Sequence, residues 1–328
     1  MRDPRRLPKA HLHVHLESTI RPSTLRDLAA VHGVRVPQEL SGGRHRFGGF
    51  ADFLAQNELV RSCLRRPDDF RKVAYQLCAD HAADGVAYVE VSFTAAAHGE
   101  RLGELDMPLA NVLAGLARGR AEFGIDYGVI LDHSRRRSVT RAWRTLELAL
   151  AYATDGVVAV GLAGDESYPG DPFVDVFDAA RENGLHVVHH AGEAAGAASV
   201  RQALRDGRAE RIGHGIRVLE DEDLVAEVRD LRIPLEVCPS SNVALGFASS
   251  FETHPLPRLR EAGLQVTVNT DIPAMTGADL TGEYTRVRDA YAYDDTELAG
   301  LARNAVDASF APPDVKRRLH AGIDGWLT

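Results

Sequence analysis

Eight short apolar segments recur along the chain, and residues with a helical pattern separate each one from the next. The segments cover residues 7–16, 86–93, 126–133, 157–164, 185–192, 211–216, 233–240 and 265–272. Several are nearly continuous in valine, isoleucine and leucine, which is typical of parallel strands covered by helices on their outer side. Eight strands that alternate with helices predict an α/β fold, a (β/α)8 TIM barrel, built as a single domain over residues 1–328.

Helices are predicted between most of the strands and at the end of the chain. They cover residues 66–83, 105–123, 139–154, 172–183, 200–205, 221–229 and 256–262, and terminal helices over 296–328 close the barrel. The first connection, residues 17–84, is too long for one helix. We therefore expect this insertion to contain extra helices that form a lid over the barrel mouth.

Composition narrows the classes of partner. The 328 residues contain 38 lysines and arginines against 47 aspartates and glutamates, which gives a formal charge of −9 and does not favour non-specific binding of nucleic acid or anionic membranes. There is no long uninterrupted apolar stretch, no apolar signal-peptide core and no disulfide framework among the three scattered cysteines. We therefore expect a cytoplasmic protein with a small-molecule substrate, no nucleic-acid partner, no membrane span and a possible homo-oligomeric state.

The carboxyl ends of the predicted strands carry residues that could bind a metal ion. Barrel enzymes place their chemistry at these ends. The first strand ends in His13-Val14-His15, and its two imidazoles share the inward face because alternate residues of a strand point the same way. His190 ends the fifth strand and Asp271 ends the eighth. Three histidines and one aspartate could therefore converge on one divalent metal ion.

The remaining strand-end residues are divided between the site and the core. Glu193 and His214, at the ends of the fifth and sixth strands, would lie beside the metal ion. His11 shares the inward face of the first strand but lies one layer deeper, so we predict a hydrogen-bonded core histidine. His189 alternates with His190 and is predicted to face the outer helices.

Six stretches of the chain, taken together, resemble the adenosine deaminase family of the amidohydrolase superfamily. They occur in family order over roughly residues 7–290 and read LPKAHLHVHLESTIRP, GLAGDE, HHAGEAAG, RIGHGI, LEVCPSSN and VNTDIP. The resemblance implies a zinc-dependent aminohydrolase that replaces a ring amino group of a purine-type substrate with oxygen. It also implies that the metal ligands are His13, His15, His190 and Asp271.

The same resemblance implies roles for the other site residues. Glu193 would protonate the ring nitrogen beside the attacked carbon, and His214 would orient and deprotonate the metal-bound water. Together with Asp271 they form the implied catalytic set, and the Gly164 amide would bond a purine nitrogen. Zinc lowers the pKa of a bound water from about 15.7 to about 7, which would provide hydroxide at neutral pH.

The lysines bear on the number of metal ions. Two-metal members of the superfamily often use a carboxylated lysine at the end of the fourth strand as a bridge. The lysines of this chain are Lys9, Lys72 and Lys316, and none lies near residues 157–164. One metal ion is therefore predicted.

Three departures from the family pattern concern the substrate. The family's Asp-Asp-Pro reads Asp271-Ile272-Pro273 here, and in the family the second aspartate bonds a nitrogen of the purine's five-membered ring. A buried polar group left without its partner costs roughly 1–3 kcal/mol, so Ile272 disfavours a ligand that needs that carboxylate.

The other two departures are Glu17-Ser18, where adenosine-specific members typically have Asp-Gly near the ribose, and Gly161, where many relatives carry aspartate. A glutamate at position 17 resembles the residue found in members that act on free adenine or other modified substrates. The sequence does not explain what effect glycine has at position 161. With Gly164 and Ile272, Glu17 and Ser18 form the predicted substrate-binding set. The combination predicts a modified purine or another substrate that is not plain adenosine.

Three alternatives remain open. The protein could be an ordinary adenosine deaminase, in which water or another side chain replaces the lost carboxylate. It could be a metal-dependent hydrolase of a non-purine heterocycle or an amide. It could also be a non-catalytic binding protein on the same scaffold, although the complete set of metal and acid–base residues argues against that.

Overall fold

A computed structural model describes residues 1–37, 40 and 47–328. Eight parallel strands pair in sequence order, β1 with β2 through β7 with β8. This topology confirms the predicted (β/α)8 TIM barrel. The strands are β1 Lys9–His15, β2 Val86–Phe93, β3 Asp126–Ser134, β4 Val157–Ala163, β5 His186–Ala191, β6 Arg211–His214, β7 Leu235–Val237 and β8 Val266–Val268.

Helices surround the strands and fill the long connections. They are Pro22–His32, Phe50–Ser62, Pro67–Ala83, Ala95–Leu102, Met107–Phe123, Val139–Ala151, Val174–Glu182, Ala197–Arg205, Glu222–Asp230, Pro239–Ala244, Leu256–Glu261, Pro273–Thr276, Leu280–Tyr291, Asp295–Ala308 and Pro313–Leu327. Among the described residues, no helix is both long and apolar enough to cross a membrane.

The last two strands are shorter than predicted. The apolar segment 233–240 continues past the strand end at Val237 into a short helix that begins at Pro239, and segment 265–272 continues past Val268 to Ile272, directly before a short helix that begins at Pro273. Proline is favoured at the first helical position because its φ is already helical and its missing N–H is not needed there. Apolar content alone did not show where the strand ends at either place.

The 17–84 connection holds three described helices, Pro22–His32, Phe50–Ser62 and Pro67–Ala83. The extra helices expected there are present, and Phe50 and Leu54 of the second one line the cavity at the barrel mouth. Residues 38, 39 and 41–46 of the predicted lid lie outside the described part of the chain. The lid itself stays a prediction.

β8 joins β1 through residues that follow β8. The Asp271 amide donates to the His13 carbonyl at 3.0 Å, and the His15 amide donates to the Asp271 carbonyl at 3.0 Å. One step earlier, the Asn269 side-chain oxygen accepts from the Leu12 amide at 2.9 Å. The junction therefore positions Asp271 between the two histidines at the end of β1.

A buried ion cluster fills the barrel interior below this junction. The Arg211 guanidinium donates to Glu236 at 2.6 Å and to Glu90 at 2.5 Å, and all three side chains are at most 1% exposed. The central carbon of the Arg211 guanidinium also lies 3.9 Å from the centre of the Phe310 ring. The cluster links β2, β6 and β7 through charge-assisted hydrogen bonds, which are about twice as strong as neutral ones.

We expect Arg211→Met to lower the free energy of unfolding by about 3–5 kcal/mol, because two buried carboxylates would lose their shared cation. Urea unfolding followed by circular dichroism measures the loss. Arg205→Met, which breaks the exposed pair with Glu227, is the matched control and should cost less than about 1 kcal/mol. Equal losses in the two variants would contradict the structural role of the cluster.

Candidate active site

Four strand ends bring the predicted metal ligands and His214 together. Donor atoms of His13, His190, His214 and Asp271 all lie within 4.8 Å of one another. His15 belongs to the same cluster, since its Nε2 is 3.3 Å from Asp271 Oδ1 and 3.1 Å from the Nε2 of His190. The structure thus places five of the six predicted metal-site and acid–base residues around one point.

The donor chemistry of this cluster fits a divalent metal ion. His13 Nε2 is buried and has no hydrogen-bond partner among the described residues. A buried, unpaired nitrogen costs free energy unless something occupies its lone pair or accepts its proton. Imidazole nitrogens with one carboxylate oxygen form a common zinc ligand set, so these residues could hold one such ion.

Two buried carboxylates orient the histidines of β1. Glu236 Oε2 lies 2.8 Å from His13 Nδ1, and Asp132 Oδ2 lies 3.4 Å from His15 Nδ1. A carboxylate on Nδ1 leaves Nε2 free to face the cluster, which is the usual arrangement behind metal-binding histidines. Burial raises the pKa of Asp132 to about 6, while the nearby His15 and His13 charges oppose that rise.

The position of the Asp132 carboxylate explains why a residue without a side chain stands at position 161. The two residues are register partners on β3 and β4. A Cβ atom at Gly161 would lie 2.1 Å from Asp132 Oδ1, much closer than van der Waals contact allows. Gly161 therefore leaves room for a carboxylate that arrives from the neighbouring strand, behind His15.

Glu193 and His214 lie side by side under a shared amide. Glu193 Oε1 is 3.3 Å from His214 Nδ1. The side-chain amide nitrogen of Asn242 lies 2.8 Å from Glu193 Oε1 and 3.2 Å from His214 Nδ1. His254 in turn contacts the Asn242 oxygen at 3.1 Å. Burial, together with the Asp271 and Glu166 charges, raises the pKa of Glu193 well above its usual value, which favours the protonated acid.

Glu166 fixes the loop that carries Glu193. Its carboxylate accepts from the main-chain amides of Gly192, Glu193 and Ala194 at 2.7, 2.9 and 2.8 Å. It also accepts from the Ser199 hydroxyl at 2.5 Å. Four hydrogen bonds to one carboxylate hold this loop in place before any ligand arrives, a form of preorganisation that catalytic sites require.

Asp271 is held as a carboxylate, and its backbone is strained. Burial alone would raise its pKa, but hydrogen bonds from His13 and His15 hold the pKa well below its usual value. The Ser241 hydroxyl donates to its second oxygen at 2.5 Å. Asp271 and His214 have φ angles of +61° and +65°, a region that costs non-glycine residues free energy and that is found most often at functional sites.

An inner cavity of about 130 Å³ lies over this cluster. Its lining includes, among other residues, His15, Ser18, Gly164, His190, Glu193, His214 and Asp271, with Phe50, Phe53 and Leu54 across from them. A ligand in this cavity would contact the acid–base residues and the histidines together.

Two of the predicted substrate-binding residues lie behind the wall of the inner cavity. Glu17 is buried, accepts from the Thr94 hydroxyl at 2.6 Å and lies 3.0 Å from His98 Nε2. Ile272 is fully buried, just before the short helix that begins at Pro273. Ser18 and Gly164, by contrast, reach the cavity.

Both histidines predicted to be structural are confirmed as such. His11 Nδ1 contacts His81 Nε2 at 2.9 Å, and His11 Nε2 accepts from the Thr270 amide at 3.1 Å. His189 Nε2 donates to the Gly207 carbonyl at 2.8 Å, and its ring packs on Phe177 of an outer helix.

Sequence reasoning missed most of the residues that position the site. Glu166, Glu236 and Asn242 fall inside the stretches GLAGDE and LEVCPSSN, which could have identified them. Asp132 ends a predicted strand, so a search for charged residues at every strand end would have found it. His254 lies in a loop without such a signal.

Known proteins match the chain over nearly its whole length. The adenosine deaminase family model matches residues 8–326. A Streptomyces virginiae relative, whose name joins adenosine and adenine deaminase, is 39% identical over 100% of this chain and 98% of its own. Aminodeoxyfutalosine deaminase of Streptomyces avermitilis is 36% identical over 98% of this chain and 92% of its own. The crystal structure of adenine deaminase from Arthrobacter aurescens has a TM-score of 0.92 at 31% identity, over 98% and 99% of the two chains.

We expect Gly161→Ala to weaken zinc binding by roughly 10–100-fold, because the new methyl group would displace Asp132 and release His15. Competition with a chromophoric chelator measures the affinity without any assay of activity. Gly300→Ala is the matched control, since a Cβ there meets nothing within 4 Å. The double variant Asp132→Ala/Gly161→Asp, which moves the carboxylate to β4, should recover part of the affinity. Unchanged affinity in Gly161→Ala would contradict this role of Asp132.

We expect Glu17→Gln to lower the free energy of unfolding by about 3 kcal/mol at neutral pH. Burial opposes ionisation of Glu17, but His98, the Arg61 charge and Thr94 lower its pKa to about 2. Since the folded pKa lies below the ordinary value of 4.5, the ionised group stabilises the fold above that pH. The difference between variant and parent should therefore shrink as the pH falls from 4.5 towards 2. Chemical unfolding at a series of pH values tests this, and a constant difference would contradict it.

Proposed function

The chain belongs to the adenosine deaminase family, and we propose that it hydrolyses the ring amino group of a purine-type substrate other than plain adenosine. The observation that carries the proposal is the convergence of Glu193 and His214 with the histidine and aspartate cluster on the floor of one cavity. A proton donor, a proton acceptor and a metal-binding cluster within one cavity are the groups that hydrolytic deamination requires.

The proposed cofactor is one Zn²⁺ ion held by His13, His15, His190 and Asp271. The supporting observations are the unpaired buried Nε2 of His13, the close approach of His15 Nε2 to His190 Nε2 and Asp271, and the carboxylates behind the two β1 histidines. Bound zinc would supply a water molecule that is acidic enough to ionise at neutral pH.

The proposed roles of the side chains follow from their protonation and positions. Glu193, whose pKa is raised by burial, donates its proton to the ring nitrogen beside the amino-bearing carbon, and this makes that carbon more electrophilic. His214 accepts a proton from the attacking water, and the Gly164 amide orients the ring. Water is consumed, the carbon–nitrogen bond breaks, and ammonia and a ring carbonyl are the products.

The positions of Glu17 and Ile272 support a substrate other than plain adenosine. The Glu17 carboxylate is already engaged by Thr94 and His98, and Ile272 offers no polar atom from its side chain. Relatives that carry the names of adenine and aminodeoxyfutalosine deaminases are consistent with such a substrate. An ordinary adenosine deaminase is the second candidate. Ser18 favours it, because this serine lines the inner cavity and a serine hydroxyl can bond a sugar.

Ammonia release by the zinc-loaded protein tests the proposal. The substrates are adenosine, 2′-deoxyadenosine, adenine and N6-substituted adenosines. We expect turnover of at least one purine, slow turnover of adenosine, and no turnover after the metal is removed by a chelator. Fast adenosine turnover would establish the second candidate, whereas activity that survives complete metal removal would contradict the metal assignment.

We expect Glu193→Gln to lower kcat by about 10²–10⁴-fold, because a neutral amide keeps the shape of the side chain but cannot donate a proton as an acid. The zinc content, measured by atomic emission, should stay the same. Glu182→Gln, an exposed substitution at the end of a helix, is the matched control. A Glu193→Gln variant as fast as the parent would mean that Glu193 is not the acid.

A further inference from the structure

A larger outer cavity of about 1030 Å³ opens beside the inner one. The two cavities share several lining residues, namely Phe50, Leu54, Asn57, Arg61, Ser134 and Gly164. A molecule whose ring lies over the metal-binding cluster could therefore extend into the outer cavity without crossing a wall. The outer cavity is in position to hold whatever substituent the ring carries.

The outer cavity is positively charged, although the chain as a whole is acidic. Its described lining contains five arginines and three carboxylates, a net charge of +2, against −9 for the whole sequence. The arginines are Arg61, Arg101, Arg136, Arg137 and Arg141, and the acids are Glu58, Glu100 and Asp165. Such a local reversal of sign concentrates anions at the mouth of a cavity.

Several of these guanidinium groups lack a full complement of acidic partners. Glu100 is shared between Arg137 and Arg141. Arg136 is exposed and has no ion-pair partner in the part of the chain that the structure describes, and its guanidinium carbon lies 5.8 Å from the centre of the Tyr168 ring.

Arg61 stands where the two cavities meet. Its terminal nitrogen pairs with Glu58 at 3.0 Å, and its Nε lies 3.9 Å from Glu17. That Nε is buried and has no hydrogen-bond partner within the described residues. Because this Nε is buried, an anion in the outer cavity would contact the accessible part of the guanidinium, on a side chain that is 20% exposed.

On the basis of the proposed deamination, we propose that the substrate carries an anionic substituent, a carboxylate or a phosphate, which Arg61 and Arg136 bind in the outer cavity. The planar guanidinium forms paired hydrogen bonds with either group. Since the amino-bearing carbon must lie at the metal-binding cluster and the neighbouring ring nitrogen at Glu193, both in the inner cavity, the anion extends from the opposite side of the ring, towards the outer cavity.

The test compares four substrates that share the adenine ring: adenine, adenosine, adenosine 5′-carboxylic acid and AMP. We expect kcat/KM for at least one of the two anionic substrates to exceed that for adenosine by about tenfold or more, since hydrogen bonds to charged groups are the stronger class. The carboxylate and the phosphate compounds distinguish the two sources of the anion. Arg136→Ala should reduce the preference for the anion by about tenfold.

Arg144→Ala provides the matched control. Arg144 lies on the same helix as Arg141, 4.0 Å from Glu100, and is not among the residues that line the outer cavity. Its removal subtracts one charge from the region and should leave the preference for the anion unchanged. Equal kcat/KM values for adenosine and both anionic substrates, or an equal loss of preference in the two variants, would overturn the inference.

Equilibrium binding separates this inference from the proposed function. Calorimetry with inosine, IMP and inosine 5′-carboxylic acid, the deaminated counterparts, requires no turnover. We expect at least one anionic compound to bind about tenfold more tightly than inosine, and Arg136→Ala to remove that difference. Equal affinities overturn the inference even if deamination is observed. Absence of ammonia release from every purine contradicts the proposed function, while the affinities still decide whether the outer cavity binds an anion.

Discussion

The junction at Asp271 is the constraint on which the rest of the site depends. Its amide and carbonyl bond His13 and His15 of the first strand, so one residue completes the ring of strands and sets the height of both imidazoles. The same residue adopts a left-handed backbone that aims its carboxylate inward. Because the closure and the metal-binding cluster share this residue, the barrel cannot close in another register without displacing the cluster.

Buried carboxylates also hold the residues that surround the Asp271 junction. Glu236 bonds both His13 and Arg211, so the orientation of a metal-site histidine is coupled to the ion cluster in the barrel interior. Glu166 plays the equivalent part for the loop that carries Glu193. His13 and the loop of Glu193 are thus held by carboxylates of the protein itself, which is how a site remains preorganised without support from a bound molecule.

The sequence predicted the barrel and the position of the central cluster because strand periodicity fixes which side chains face inward, and the strand-end rule fixes their height. It did not predict Asp132 and Glu236, since their roles depend on which neighbouring side chain they meet across the barrel. Asn242 was missed because it lies on a short helix, Pro239–Ala244, beyond the end of the predicted strand segment 233–240. The outer arginines come from separate loops and helices, and only their assembly in space shows that they surround one cavity.

The pairing of Asp132 with Gly161 has a consequence for how sequences of such barrels are compared. Counted position by position, Gly161 departs from the aspartate of many relatives, and Asp132 on the neighbouring strand is not compared with it. In the structure the two positions depend on each other. Because Gly161 has no side chain, it leaves the volume that the Asp132 carboxylate fills behind His15. An alignment column is therefore the wrong unit for judging whether this support is present; the unit is the volume behind the histidine, whichever strand fills it.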